Sequence, residues 1–84
     1  MKYYRLKYDL YDPSESTEPD KYMAEIPTFP GCVAWGDTPQ DALEILESVV
    51  AATIETYIEE GWRLPKEISD SVISFEKNEI LVQV

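Results

Sequence analysis

One long amphipathic segment, from Thr38 to Glu60, constrains the fold of this 84-residue chain more than any other feature. Thr38 is suited to cap a helix, Pro39 to fill its first position, and Asp41 to face the positive end of the helix dipole. The apolar stripe comprises Ala42, Leu43, Leu46, Val49, Val50, Thr53, Ile54 and Tyr57, and the polar face comprises Gln40, Glu44, Glu47, Ser48, Glu55 and Glu59. Gly61 is placed to end the helix in a left-handed conformation. A helix about 30 Å long can lie across several strands.

Strand patterns lie on both sides of this helix. Tyr3 to Leu10 alternates, with Tyr4, Leu6, Tyr8 and Leu10 on the inner face, and Lys21 to Ile26 alternates in the same way. Cys32 to Trp35 is a short apolar run, and Val72 to Phe75 and Ile80 to Val84 follow the helix. The order β-β-β-α-β predicts a two-layer α+β domain, with the helix packed on one face of an antiparallel sheet.

The segment between the first two strands, residues 11–20, is rich in proline, serine and acidic residues. It contains nothing that a core would bury. The composition predicts a mobile, negatively charged hairpin loop.

Size and charge limit the function classes. The chain predicts a single domain over residues 1–84, too small for a large core, so self-association is expected. Its 17 acidic and 7 basic residues give a net charge of -10. This charge argues against direct binding to nucleic acid or to an anionic membrane, and it suits either a basic protein partner or plain solubility. The N-terminus lacks the apolar region of a signal peptide and no apolar run could span a membrane, so a cytoplasmic location is expected.

The run from Ile26 to Thr38 combines two prolines, two glycines and the single cysteine. Phe29, Pro30, Gly31 and Cys32 fit a type II turn, with glycine at the position that needs positive φ. Gly36 supplies a flexible residue and Asp37 a polar bend before Thr38 caps the helix. Because no cationic residue neighbours Cys32 in sequence, we expect a packed, inert strand cysteine rather than a reactive one.

Catalytic chemistry has little support in this composition. Without histidine and with one cysteine, the chain holds no Ser-His-Asp or Cys-His pair, no zinc ligand set and no intramolecular disulfide. It also lacks glycine-rich phosphate-binding motifs, so no cofactor is expected. Asp9, Glu25 and Asp37 lie on or beside predicted strands and could form a carboxylate metal site. Asp9 and Glu25 fall on the solvated strand faces, which favours ordinary surface charges and a binding domain that is not an enzyme.

Residues 22–65 resemble the HicB-like antitoxin family. That family shows an aromatic-x-A-x-hydrophobic-P strand, a P-G-C turn, a G-D/E-T helix start followed by A-L, and a G-x-x-hydrophobic-P exit from the helix. The matching positions here are Tyr22, Ala24, Ile26, Pro27, Pro30, Gly31, Cys32, Gly36, Asp37, Thr38, Ala42, Leu43, Gly61, Leu64 and Pro65. Each motif is short, but the spacing of all three breakpoints agrees.

The resemblance implies a partly degenerate ribonuclease-H-like domain that lacks nuclease activity and forms dimers or higher oligomers. It implies a small basic partner, a HicA-like toxin that cleaves mRNA and is inhibited when the antitoxin covers it. Many family members carry a C-terminal DNA-binding module, for which a chain ending at Val84 leaves no room. Operator binding is therefore not expected, and the loop at 11–20 is longer and more acidic than is usual in the family.

Three hypotheses follow from these patterns. The first is an antitoxin whose acidic side chains contact the toxin: Glu15, Glu18 and Asp20 on the loop, and Glu44, Glu47 and Glu55 on the helix. The second is an orphan, self-associating HicB-like module that binds a small ligand or another protein. The third is a residual metal-dependent nuclease. The final strand, Glu79 to Val84, has Ile80, Val82 and Val84 on one face and is expected to pair with a second copy in a dimer or a tetramer.

Overall fold

The computed structural model describes residues 3–29, 31–64 and 79–84. In it the segments with alternating apolar residues are strands and the amphipathic segment is a helix, so the domain is of the mixed α+β class. Within these residues the elements are β1 (Tyr3–Lys7), β2 (Asp9–Tyr11), β3 (Tyr22–Glu25), β4 (Val33–Gly36), α1 (Pro39–Glu60) and β5 (Glu79–Gln83). All of the strand pairs are antiparallel. The predicted α+β class is confirmed. The predicted strand at 72–75 and the motif residues Pro30 and Pro65 lie outside the described residues.

The first predicted strand is divided at Tyr8. β1 pairs with β5, from Tyr3 opposite Gln83 to Lys7 opposite Glu79, whereas β2 pairs with β3. The described strands therefore form a two-stranded sheet, β1-β5, and a three-stranded sheet, β2-β3-β4, where the sequence predicts one antiparallel sheet. The two halves of the first strand separate because each follows a different partner.

The inner face predicted for this first strand is only partly buried. Tyr4 and Leu6 lie in the core, but Tyr8 is half-buried and Leu10 is exposed. The reason is the position of α1, which packs on β3, β4 and β5. Among the described elements, α1 does not pack on β2, and the alternation continues there without burial.

The helix ends where its capping residues indicated. Thr38 Oγ1 accepts a hydrogen bond from the Asp41 N–H at 3.1 Å, and Pro39 begins the helix. At the other end, Gly61 has a φ of 72°, its N–H donates to the Ile58 carbonyl, and the Trp62 N–H donates to the Tyr57 carbonyl at 2.8 Å. These two bonds form a Schellman motif, which satisfies carbonyls that the helix leaves unpaired. Both predicted helix boundaries are confirmed.

The core lies between α1 and the sheets. Ala42, Leu46, Val50 and Ile54 are completely buried on the helix, and they pack with Ala24 and Ala34 of the sheet. The predicted stripe residues between them are half-buried, and the predicted polar face is exposed. Fully burying one side chain of the size of Leu46 contributes about 1.5–3 kcal/mol.

The connection between β3 and β4 is closed by three backbone hydrogen bonds. The Ile26 N–H donates to the Cys32 carbonyl at 3.0 Å, Phe29 donates to Ile26 at 3.1 Å, and Cys32 donates to Phe29 at 3.0 Å. Gly31 has a φ of 90°, as the third position of a type II turn requires. The predicted turn is confirmed in these described residues. The turn also directs the Phe29 side chain into the core, where only 1% of it is exposed.

Gly36 ends β4 against the first turn of α1, and the sequence-based reason for this glycine was wrong. Its φ is not in the positive range, so conformational freedom is not what it supplies. An added Cβ would lie 2.5 Å from the Ala42 nitrogen and 2.8 Å from the Asp41 Cβ. Real Cβ atoms essentially never approach other atoms so closely. Gly36 therefore allows the strand and the helix to meet.

Candidate functional site

The acidic loop, residues 12–20, lies against the sheet face opposite to α1. Ala24 and Ala34 face the helix, so their strand neighbours Met23 and Trp35 face the other way. On that outer face Thr17 Oγ1 accepts a hydrogen bond from Trp35 Nε1 at 3.2 Å and lies 3.6 Å from Met23 Sδ. Only 8% of Met23 is exposed. None of the loop residues is itself buried, as the composition predicted, but the loop lies against Met23 and Trp35 of the sheet.

Local hydrogen bonds give the loop a defined path. The Asp12 carboxylate accepts from the Ser14 N–H at 2.9 Å, and the Ser14 hydroxyl and N–H lower the pKa of Asp12. The Lys21 N–H donates to the Glu18 carbonyl at 3.2 Å and closes a turn in which Asp20 has a φ of 65°. The loop is thus built from consecutive turns that local hydrogen bonds close, and the mobility that the composition predicts stays a prediction.

The six predicted partner-binding residues are all exposed, and they divide into two groups. Glu15, Glu18 and Asp20 belong to the loop on the outer face of the sheet. Glu44, Glu47 and Glu55 belong to α1, which covers the inner face. At 100° per residue these three helix positions share one side of α1, with the first and last about 16 Å apart along its axis. The structure therefore does not bring the six carboxylates into one surface.

The end of β4 and the start of α1 form a further acidic region that the sequence analysis did not single out. Lys21 forms a salt bridge with Asp37, whose hydrogen bond and charge raise the pKa of the lysine. A surface depression of about 340 Å³ lies beside this pair, lined by Lys21, Trp35, Gly36, Asp37, Asp41, Glu44 and Ile45. Ile45 is 47% exposed. The sequence signal was available, because Ile45 is an apolar residue that belongs to neither face of the predicted helix.

The carboxylates weighed for a metal site do not converge. Asp9 and Glu25 are opposite each other on β2 and β3, and Glu25 accepts a hydrogen bond from the Tyr11 hydroxyl at 2.8 Å, which raises the pKa of Tyr11. Asp37 is paired with Lys21, at the other end of β3, about 13 Å away at the rise of an extended strand. Among the residues that the structure describes, no cluster of three or more potential His, Cys, Asp or Glu ligands occurs.

Cys32 is a packed residue, as the sequence indicated. Its side chain is 3% exposed, and its Sγ donates to Thr53 Oγ1 at 3.3 Å. Thr53 in turn donates to the Val49 carbonyl at 2.9 Å. The thiol therefore holds a strand end against the helix, where a solvent-borne substrate has no access.

The two tryptophans, whose roles the sequence left open, occupy different environments. Trp35 is half-buried and its indole N–H is bonded to the loop. Trp62 is 56% exposed and contacts Tyr57 edge-to-face, with ring centroids 5.4 Å apart. Tyr57 also contacts Phe29 edge-to-face, at 5.1 Å. The aromatic side chains thus link the helix end to the core and leave one indole largely in solvent.

A comparison with protein families resolves the resemblance. The family model described as the HicB-like antitoxin of bacterial toxin-antitoxin systems matches residues 13–80, well over half of the chain. This chain belongs to the HicB-like antitoxin family. The resemblance that the strand, turn and helix motifs indicated is thereby confirmed. Among curated proteins, none matches this HicB-like chain significantly in sequence.

Solved structures agree with this HicB-like assignment at the level of the fold. The N-terminal domain of the Burkholderia pseudomallei antitoxin HicB is similar, with a TM-score of 0.58 and 21% identity, over 100% of this chain and 98% of that one. The longer Burkholderia pseudomallei antitoxin HicB gives a TM-score of 0.56 at 21% identity. The present chain covers 63% of that longer structure. Helix α1, the only helix in the described ranges, lacks the apolarity needed to cross a membrane.

Proposed function

We propose that this HicB-like protein neutralises a small basic HicA-like toxin, a ribonuclease that cleaves mRNA, by binding it directly in the cytoplasm. The observation that carries the proposal is the match to an antitoxin family over residues 13–80. The protein acts in this proposal as a non-catalytic cover, and its α+β domain is a degenerate relative of the ribonuclease-H fold. The separation of Asp37 from Asp9 and Glu25 supports that interpretation, because a two-metal nuclease needs its carboxylates together.

The electrostatic character of the protein supports a basic partner. The net charge of -10 is carried largely by exposed carboxylates, including those of the loop and of α1. A field of one sign accelerates the encounter with a partner of opposite sign and discriminates against acidic partners. We therefore expect the association rate with the toxin to fall as the salt concentration rises, since screening weakens this attraction.

Co-expression tests the proposed function. Induction of a small basic HicA-like toxin is expected to stop bacterial growth, and co-expression of this protein is expected to restore it. A toxin variant that lacks its catalytic histidine serves as the control and should not stop growth. If the active toxin arrests growth equally with and without this protein, although both are present in the cell, neutralisation is wrong. A binding measurement with the inactive toxin then separates weak inhibition from absence of contact.

We also propose that the protein self-associates as a dimer or a tetramer. The sequence predicts that the last strand pairs with a second copy, and Ile80 and Val82 of this strand are buried in the core of their own chain. An interface on β5 would therefore have to use its backbone edge. Exposed apolar side chains offer another surface, since Ile58 is 53% exposed and Trp62 56%. Multi-angle light scattering at micromolar concentration is expected to give at least twice the chain mass of 9.7 kDa. A monomer mass would contradict the proposal.

A further inference from the structure

The strand β4 has an open hydrogen-bonding edge in the described part of the chain. It is the last strand of the sheet β2-β3-β4 and pairs with β3 alone. The hydrogen bond from the Ile26 N–H to the Cys32 carbonyl shows which opposite residues of this antiparallel pair are hydrogen-bonded to each other. Because bonded and non-bonded positions alternate, Ala34 and Gly36 face β3 with their backbone groups. The N–H and C=O groups of Val33 and Trp35 then point away from β3, and no other strand in the described ranges pairs with them.

Apolar residues of the strand and of α1 lie beside this edge. The depression of about 340 Å³ beside it includes Trp35 of the strand and Ile45 of α1. Ile45 is 47% exposed, so its apolar side chain is accessible beside the edge. An open edge next to an accessible apolar floor is the arrangement that binds an extended peptide as an added strand.

The charged residues that line the depression favour an added strand that carries positive charge. Asp37, Asp41 and Glu44 line it against the single cation Lys21, which is already paired with Asp37. The two remaining carboxylates are exposed, and Glu44 accepts only a long hydrogen bond of 3.4 Å from Gln40 Nε2, so a cationic side chain of a partner can approach both. A second copy of this chain would bring another net charge of -10 to the same place, so like-charge repulsion disfavours it.

We infer that β4 and the first turns of α1 bind an extended basic segment of the toxin by strand addition. This inference rests on the proposed function and narrows it to one surface. The backbone of the segment pairs with Val33 and Trp35, an apolar side chain covers Ile45, and a cationic side chain reaches Asp41 and Glu44. Of the six predicted contact residues, Glu44 is then the one that belongs to the interface, and the loop carboxylates lie on the other side of the sheet.

Amide hydrogen exchange, followed by NMR, tests the strand addition at single residues. The full-length protein is measured alone and with the inactive HicA-like toxin. The amides of Val33 and Trp35 are expected to exchange rapidly in the free protein and at least about 10-fold more slowly in the complex. The amides of Ala34 and Gly36 are internal controls, because they face β3 in both states. A tight complex in which Val33 and Trp35 gain no protection overturns this inference and leaves the proposed function intact.

Paired substitutions on α1 test the side-chain part of the inference. Glu44→Lys is expected to weaken toxin binding at least about 10-fold, because a favourable charge pair becomes repulsive. Its control, Glu55→Lys, makes the same change about 16 Å farther along the helix and is expected to alter the affinity less than about 3-fold. Ile45→Ala and Ile58→Ala form a second pair of exposed positions on the same helix. Equal losses of affinity within both pairs would show that the toxin does not bind preferentially at the end of α1 that lies beside β4.

A second probe makes the test independent of the toxin. A ten-residue peptide of alternating arginine and valine is expected to protect Val33 and Trp35, and the same peptide with glutamate for arginine is not. If the toxin does not bind but the basic peptide does, the proposed function is wrong, whereas the assignment of the β4 edge as a site for an extended basic segment is supported. If Val33 and Trp35 are already protected in the free protein in a concentration-dependent way, a second copy occupies the edge and the inference is wrong.

Discussion

Phe29→Ala is expected to lower the free energy of unfolding by about 3–5 kcal/mol, the largest effect of any single truncation proposed for this protein. Phe29 is among the largest completely buried side chains, and its ring contacts Tyr57 edge-to-face at 5.1 Å. The loss combines the transfer of a large apolar side chain with the cavity left between the turn and α1. For a domain of this size, each kcal/mol corresponds to about 4–8 °C in Tm, so the variant should melt far below the parent.

Urea denaturation followed by circular dichroism measures this loss. Trp62→Ala is the matched control, because it removes a larger aromatic side chain that also contacts Tyr57 but is 56% exposed. We expect that control to cost less than about 1 kcal/mol, the level of an edge-to-face pair with little burial. If both variants lose the same stability, the turn does not anchor the core through Phe29.

Gly36→Ala is expected to lower the free energy of unfolding by about 1–3 kcal/mol, although it adds only one methyl group. The new Cβ would lie 2.5 Å from the Ala42 nitrogen and 2.9 Å from the Asp41 carbonyl carbon. Both are backbone atoms of the first helical turn, so no side-chain rotation relieves the contact. The helix start must move away from β4, and this movement would also disturb the depression lined by Asp41, Glu44 and Ile45.

Two other glycines provide controls of a different physical kind. Gly31 and Gly61 have φ values of 90° and 72°, and an added Cβ at either has no neighbour within 4 Å. Alanine at these positions would strain the backbone but would not overlap with neighbouring atoms. We expect it to lower the free energy of unfolding by about 1–2 kcal/mol. Thermal melts of the three alanine variants measure the loss of stability, and the affinity for inactive toxin is measured beside them. Together these measurements distinguish steric overlap at Gly36 from backbone strain at Gly31 and Gly61. We expect Gly36→Ala to weaken binding and Gly61→Ala, at the far end of α1, to leave it unchanged. Wild-type stability in Gly36→Ala would contradict the close packing.

Individual side chains show why the site was harder to predict than the fold. The acidic residues of the loop and of α1 were identified correctly as exposed, because charge and periodicity are local properties. Their grouping depends on which face of the sheet each element covers, and that is a tertiary property. Thr17 is an example, since an ordinary polar loop residue becomes a hydrogen-bond partner of Trp35 only when the loop folds back. The role of Ile45 likewise depends on β4 ending beside it.

The sequence by itself determined the helix from its cap at Thr38 to its end at Gly61, the turn at Gly31, the buried thiol and the family. Each of these follows from residues close together in the chain, whose backbone preferences and periodicity act over a few positions. Only the tertiary structure decided that the first strand divides at Tyr8, that Gly36 is needed for space, and that the acidic residues lie on two faces. These outcomes depend on contacts between distant segments, and a repulsive overlap or an open strand edge exists only once both segments are in place.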